Sequence, residues 1–219
     1  MRNSERGMRN QNPEPENAVS LQPATHAPRF THGPLIVVSG PSGVGKTTVV
    51  ERLLHLGNLQ MRRAVTATTR QQRDGEAEGI SYHFWTREQF QSALDTGQML
   101  ESAVVHGRDC YGTPRSEVDP YLEAGIGVVL VIDVQGAARV RELCPECLTV
   151  FVVAPSFEVL EARLRGRGSE SEERIQRRLE TARQELARVN EFDHVIVNEN
   201  LDRAVAELER LVRDRFPTR

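Results

Sequence analysis

Leu35-Ile36-Val37-Val38-Ser39 runs directly into Gly40-Pro41-Ser42-Gly43-Val44-Gly45-Lys46-Thr47, and this stretch decides the fold. Its first five residues form an almost wholly apolar run, which predicts a strand buried on both faces. The next eight residues have the spacing G-x-x-x-x-G-K-[S/T], and a helical pattern over residues 47–56 follows them. Glycines allow the backbone N–H groups of such a loop to converge on phosphate oxygens at the positive end of a helix. The stretch therefore predicts a nucleoside triphosphate site.

Two side chains of this loop have separate predicted roles. Lys46 can reach the β- and γ-phosphates, and the hydroxyl of Thr47 can bind Mg²⁺. A purely structural glycine turn would need neither residue at the start of a helix. We therefore expect ATP to bind together with Mg²⁺.

The rest of the chain alternates between short apolar runs and helical patterns. Further buried strands are predicted over residues 128–133, 149–153 and 194–197. Helices are predicted over residues 47–56, 87–95, 135–143, 157–165, 172–190 and 201–213. Thr86 begins a capping box with Gln89, and Ser156 is a suitable N-cap. The pattern predicts an α/β fold in three layers around a parallel sheet.

Composition limits the class of protein. The 219 residues carry 28 Lys and Arg against 31 Asp and Glu, a formal net charge of −3, which argues against broad electrostatic binding of nucleic acid. No apolar run approaches the length needed to cross a membrane, and the N-terminal residues lack the apolar core of a secretory signal. Three cysteines do not make a disulfide framework, so we expect a cytoplasmic protein. Cys144 and Cys147 form a lone C-x-x-C that is more readily interpreted as a turn than as a metal or redox site.

Composition also divides the chain near residue 32. Residues 1–32 are rich in Asn, Gln, Pro and Glu and have few apolar residues, which predicts a disordered tail. Residues 33–219 are predicted to form the folded unit.

A polar segment supplies candidates for binding a second phosphate. Arg70 and Arg73 lie three residues apart, a spacing that suits a forked grip on a phosphate dianion. Tyr82 and Tyr111 follow glycine-rich or polar stretches. Each of these residues alone is weak evidence for a phosphate site. Their order in the chain after a phosphate loop makes that interpretation stronger.

These motifs together resemble guanylate kinases, from about residue 34 to about residue 216. The resemblance is carried by GPSGVGKT (40–47), TTRQQRDGE (68–76), MLESA (99–103), YGT (111–113), IDVQGA (132–137), RLRGRG (163–168), IQRRL (175–179) and VIVNEN (195–200). It implies a P-loop core over about 33–64, 114–154 and 191–219. It also implies an inserted GMP-binding subdomain over about 65–113 and a helical lid over about 155–190.

The resemblance implies roles for individual residues. The ATP-binding set is Gly40, Pro41, Ser42, Gly43, Val44, Gly45, Lys46, Thr47, Thr48, Arg167 and Asn198. The GMP-binding set is Thr66, Arg70, Arg73, Tyr82, Glu101, Tyr111, Thr113 and Asp133. The catalytic set is Lys46, Arg70 and the lid arginines Arg163, Arg167 and Arg178. The other arginines of the lid, Arg165, Arg174 and Arg177, are interpreted as a solvated, ion-paired helix face.

Base recognition has a chemical basis within this set. Guanine presents N1–H and N2–H₂ donors, which one carboxylate at Glu101 accepts, while a hydroxyl at Thr113 donates to O6. Adenine lacks this pattern and would leave the buried carboxylate unmatched. One departure concerns the metal, because many guanylate kinases have an acid two residues before the one matching Asp133, where this chain has Val131.

The predicted function is transfer of the γ-phosphoryl group of ATP to GMP. Two alternatives stay open: a catalytically inactive guanylate-kinase-like interaction module, and a related P-loop kinase that phosphorylates a sugar phosphate. Retention of Lys46 argues against the first. The presence of Glu101 and Thr113 argues against the second.

Overall fold

A computed structural model describes residues 33–105, 109–166 and 171–216. Its elements in chain order are β1 Leu35–Ser39, α1 Lys46–His55, β2 Met61–Arg63, β3 Ala67–Thr68, β4 His83–Phe84, α2 Arg87–Asp95, β5 Met99–Val105, β6 Asp109–Pro114, α3 Asp119–Glu123, β7 Gly127–Val131, α4 Val134–Leu143, β8 Leu148–Val153, α5 Phe157–Arg165, α6 Glu172–Leu186, β9 His194–Val197 and α7 Leu201–Arg215. The predicted tail over residues 1–32 lies outside the described residues.

The central sheet has five parallel strands in the order β2-β7-β1-β8-β9. Successive side chains of β1 point to opposite faces, as the two-residue repeat of a strand requires. Ile36 and Val38 pack against α1, α5, α6 and α7, whereas Leu35 and Val37 pack against α3 and α4. The predicted three-layer α/β fold is confirmed, and the two-sided burial explains why β1 reads as an unbroken apolar run.

The last strand differs from its prediction. The prediction of burial on both faces holds for β1, β7 and β8 but is wrong for β9, where only Ile196 is buried and Val195 and Val197 are exposed. The reason is its position, since among the described residues β9 pairs with β8 alone and forms one edge of the central sheet.

Most helix predictions agree with the structure within two residues. The predicted capping box of α2 is present, and Ser156 caps α5 by accepting a bond from the N–H of Val159. The prediction over 172–190 was too long, because α6 ends at Leu186 and a short 3₁₀ turn follows over Val189–Glu191. The strand predicted over 128–133 ends at Val131, and Asp133 caps α4 instead.

A second sheet lies between β2 and β7 in the chain. Its four strands have the order β4-β3-β6-β5, with β3 and β4 parallel and the other pairs antiparallel. It has a small core of its own, in which α2 packs through Phe90 and Ala93 against Ala67 and Met99.

Two further features bear on the predictions from composition. Cys144 and Cys147 are buried thiols in a turn, closed by a bond of 3.1 Å from the N–H of Cys147 to the carbonyl of Cys144. Within the described ranges no helix is long and apolar enough to span a membrane.

Candidate functional site

The phosphate loop joins β1 to α1 and depends on glycine at particular positions. Gly40 and Gly45 have φ of +132° and +94°, in the region that disfavours side chains. A Cβ at Gly40 would overlap the carbonyl oxygen of Val152, and one at Gly45 would come within 2.5 Å of the Nδ2 atom of Asn198. The loop therefore lies tightly against β8 and the segment after β9.

Lys46 is the first residue of α1 and its side chain folds over the loop. Its Nζ atom donates to the carbonyl oxygens of Gly40 and Pro41, the second at 3.0 Å. Thr47 and Thr48 follow on the exposed side of the first turn of α1. The ammonium group and the N-terminus of α1 thus place positive charge at one point, as binding a triphosphate requires.

One predicted ATP-binding residue, Asn198, and one predicted lid arginine, Arg163, hold this loop in place. The Nδ2 atom of Asn198 donates to the carbonyl oxygen of Val44 at 2.7 Å. Arg163 donates to the carbonyl oxygens of Asn198 at 2.9 Å and of Val44 at 3.4 Å. Both side chains therefore bond to the loop backbone here.

The other arginines of the lid region lie in two different environments. Arg178 on α6 donates to the hydroxyl oxygen of Ser42, which places a guanidinium directly at the phosphate loop. Arg167 lies outside the described residues. Arg165 pairs with Glu161 and Glu172, and Arg177 with Glu173, as expected of a solvated helix face.

Arg70 is the centre of a second cluster, on the segment that follows β3. Its guanidinium makes a forked pair with Glu76 at 2.8 and 2.9 Å, and its Nε donates to the hydroxyl oxygen of Tyr111 at 3.0 Å. The rings of Tyr82 and Phe84 lie 5.2 and 5.8 Å from the guanidinium carbon. The structure therefore brings together three of the predicted phosphate-binding residues, Arg70, Tyr82 and Tyr111.

Burial and hydrogen bonds shift the pKa values of the groups in this cluster. Burial alone would lower the pKa of Arg70, but the bonds to Glu76 and Tyr111 raise it above its usual value. Burial opposes ionisation of Glu76, yet the bonds from Arg70 and from the N–H of Arg73 hold the pKa of that carboxyl below its usual range. Burial raises the pKa of Tyr82. Arg70 and Glu76 are thus a charged pair at neutral pH.

The other predicted members of the phosphate set lie around Arg70. Thr66 is buried just before β3, and Arg73 is exposed, with its backbone N–H held by Glu76 at 2.8 Å. Arg70 and Arg73 line a cleft of about 500 Å³. The same cleft is lined by Arg87 and Arg174, neither of which belongs to the predicted site.

The proposed base-reading residues lie on the neighbouring strands β5 and β6. Glu101 and Thr113 are register partners, and the Thr113 hydroxyl donates to Oε1 of Glu101 at 2.7 Å. Glu101 is only 5% exposed. Burial, partly offset by Thr113 and reinforced by the charge of Asp133, raises the pKa of the Glu101 carboxyl to about 7.

Asp133, the third predicted base-reading residue, also has a local structural role. Its Oδ1 atom accepts bonds from the N–H groups of Gln135 at 2.8 Å and Gly136 at 2.9 Å, which caps α4. Gly136 in turn lies so close to Glu101 that a Cβ there would come within 2.5 Å of Oε2. The start of α4 therefore forms one wall of the Glu101 pocket.

Sequence reasoning missed two acidic residues of these clusters. Glu76 orients Arg70, and its only signal is its place at the end of the TTRQQRDGE motif. Glu185 on α6 is subject to the charges of Lys46 and Asp133, and burial, which outweighs the opposing effect of Lys46, raises its pKa to about 7. Nothing in its helical sequence pattern distinguishes it from solvated neighbours, since only the packing of α6 brings it to the loop.

The chain matches a known protein family over most of its length. The family model described as guanylate kinase matches residues 32–215 of the 219 residues. The chain belongs to the guanylate kinase family. It is 49% identical over 180 residues to the guanylate kinase of Parasynechococcus marenigrum, covering 82% of this chain and 98% of the relative.

Other guanylate kinases are also similar to this chain in sequence and in structure. The guanylate kinase of Desulfitobacterium hafniense is 45% identical over 181 residues, covering 83% of this chain and 90% of the relative. The crystal structure of guanylate kinase from Anaplasma phagocytophilum matches with a TM-score of 0.69 at 30% identity, covering 85% of this chain and 88% of that one.

Proposed function

We propose that this protein is an ATP:GMP phosphotransferase that converts ATP and GMP to ADP and GDP. The observation that carries the proposal is the buried Glu101 carboxylate beside Thr113, next to the Arg70 cluster. A phosphate loop alone serves many acceptors. A buried carboxylate paired with a hydroxyl matches the donors and acceptor of guanine.

The donor site consists of the loop from Gly40 to Thr47. The backbone N–H groups of the loop and the start of α1 bind the phosphates, and Lys46 exchanges its carbonyl partners for the β- and γ-phosphate oxygens. Arg163, Arg167 and Arg178 belong to a lid over about residues 155–190 and place positive charge around the transferring group. Thr48 and Asn198 complete the ATP site.

The acceptor site lies in the subdomain over about residues 65–113. Its phosphate-binding residues are Thr66, Arg70, Arg73, Tyr82 and Tyr111. Glu101 accepts from guanine N1–H and N2–H₂, and Thr113 rotates its hydroxyl toward O6. Asp133 belongs to the same guanine-reading set and also caps α4. An acceptor phosphate is already a nucleophile, so positioning and charge stabilisation suffice, and the proposed chemistry needs no general base.

The residues at the loop also fit Mg²⁺. The Thr47 hydroxyl is exposed at the start of α1, where it would be a ligand of Mg²⁺ bound together with ATP. Among the described residues no group of three or more His, Cys, Asp and Glu side chains could hold a metal ion. Phosphate and water oxygens would supply the other ligands, as is usual for Mg²⁺. The bound ion would neutralise charge on the phosphates, and Val131 offers it no ligand.

We place this activity in the cytoplasm, where both nucleotides occur and where the three cysteine thiols stay reduced. ATP and GMP are the proposed partners, with no nucleic acid or membrane involved. An inactive interaction module has no need for Lys46 and Arg178 at the loop, and a sugar-phosphate kinase has no need for the Glu101 pocket.

The decisive experiment measures ADP formation with GMP, AMP, CMP, UMP and ribose 5-phosphate as acceptors. We expect kcat/KM for GMP to exceed that for every other acceptor by at least about 100-fold. Equal use of ribose 5-phosphate would favour the sugar-phosphate kinase. Absence of turnover with every acceptor, together with tight binding of GMP, would favour the inactive module.

A further inference from the structure

The guanidinium of Arg70 is largely occupied by the protein itself. Of its five N–H donors, four are used on the carbonyl of Gln71, the two oxygens of Glu76 and the hydroxyl of Tyr111. Its charge is also matched by the forked pair with Glu76. Arg70 therefore supplies the acceptor phosphate with only one further hydrogen bond and little uncompensated charge.

The cleft beside Arg70 contains two cations from elsewhere in the fold. Arg87 is the first residue of α2, and Arg174 lies in the first turn of α6. Both line the cleft together with Arg73 and Asp109. Four arginines therefore line this one cleft, beside a single acidic residue among its described lining residues. Guanidinium groups are the side chains best suited to charge-assisted hydrogen bonds with a phosphate.

Helix α6 contacts both halves of the site. Arg174 lines the acceptor cleft, while Arg178, four residues later on the same face, donates to Ser42 of the phosphate loop. Four residues of an α-helix span about 6 Å. One helix thus places one arginine at the acceptor cleft and another at the phosphate loop.

We propose that Arg87 and Arg174 are further acceptor-phosphate residues, and that α6 uses Arg174 and Arg178 to align the acceptor phosphate with the donor loop. This inference rests on the proposed function, because it takes the Arg70–Arg73 cleft as the acceptor-phosphate site. Arg174 was interpreted from its sequence as part of a solvated face, and its place on the cleft sets it apart from its neighbours Arg165 and Arg177.

Equilibrium binding of GMP and of guanosine to the full chain tests the proposal, since the two ligands differ only in the phosphate. We expect Arg174→Ala and Arg87→Ala each to weaken GMP binding about 10- to 100-fold, the usual effect of losing a hydrogen bond to a charged group. Guanosine binding and the KM for ATP should change less than about twofold. Arg177→Ala is the matched control, because it removes an exposed arginine of α6 that pairs with Glu173, and it should behave as wild type.

Two results would overturn the proposal. One is GMP binding by Arg174→Ala and Arg87→Ala that is no weaker than in Arg177→Ala. The other is an equal loss of GMP and guanosine binding, which would indicate a structural role. Failure of the wild-type protein to bind or phosphorylate GMP would instead contradict the proposed function, so the two failures are distinguishable.

Discussion

The hydroxyl of Thr113 donates a hydrogen bond of 2.7 Å to Oε1 of Glu101, across the register pair that joins β5 to β6. The contact keeps a buried carboxyl group oriented where burial would otherwise disfavour its charge. In the proposed complex with GMP, this hydroxyl donates to guanine O6 instead. Binding of that kind requires Thr113 to change partners.

Base choice should depend on Glu101. Glu101→Gln replaces an acceptor by an amide donor that faces the donors of guanine, whereas the same amide can pair with N1 of adenine. We expect kcat/KM for GMP to fall by about two to three orders of magnitude while that for AMP changes little or rises. The ratio of the two kcat/KM values is the measurement. An unchanged ratio would mean that guanine is read elsewhere, and Asp133 would be the next residue to substitute.

GMP binding should be coupled to proton release. The pKa of Glu101 is raised to about 7 in the free protein, whereas guanine donors favour the ionised form. Affinity for GMP should therefore be full above about pH 8 and should weaken as the pH falls through 7, by about tenfold per unit well below it. Calorimetry in two buffers of different ionisation enthalpy measures the protons released.

Glu101→Gln is the control for this pH effect, because the variant keeps the titration of the phosphate of GMP and loses only that of the carboxyl group. Equal proton release by wild type and variant would show that Glu101 is not the titrating group.

Gly136→Ala should disturb the Glu101 pocket from outside the strands. The added Cβ would lie 2.5 Å from Oε2 and 3.1 Å from Cδ of Glu101. We expect a loss of about 1–3 kcal/mol in the free energy of unfolding and about a tenfold rise in the KM for GMP. Denaturant unfolding and steady-state kinetics measure both effects.

Adding Glu101→Asp to Gly136→Ala separates packing from chemistry. The shorter side chain removes the overlap, so stability should recover while GMP selectivity stays impaired. A destabilisation that persists in the double variant would place the strain outside this contact.

Lys46 is the only lysine in the chain, which makes its role open to chemical as well as genetic tests. Lys46→Ala should lower the rate of phosphoryl transfer by about 100- to 1,000-fold or more, since it removes charge that meets the developing transition state. GMP binding should stay within about twofold of wild type. A near-wild-type rate of ADP formation would exclude this loop as the donor site.

Modification of wild-type protein with an amine-selective reagent should give the same loss, because Lys46 has the only side-chain amine. ATP should protect against it and GMP should not. Equally fast inactivation with and without ATP would show that Lys46 does not contact the phosphates of ATP.

The sequence determined the elements whose signals are local. The apolar run of β1 is typical of a buried strand, and the glycine spacing that follows it is typical of a phosphate-binding loop before a helix. The capping residues Thr86 and Ser156 likewise act within one turn of their own helices. These features depend on residues a few positions apart, so they could be predicted without the fold.

The tertiary structure decided the features that join distant segments. The strands β3 to β6 were not predicted, because two of them, β3 and β4, have only two residues each and the sheet is stabilised by pairing between segments distant in the chain. Burial of β9 was overestimated because its place at the sheet edge depends on the order of the strands. The pairing of Arg70 with Glu76, the position of Glu185 near Lys46 and that of Arg174 beside Arg73 depend on how helices and loops pack. A solvated arginine and one that lines a phosphate cleft cannot be distinguished in the sequence. Only the residues that surround each of them in the folded protein distinguish the two.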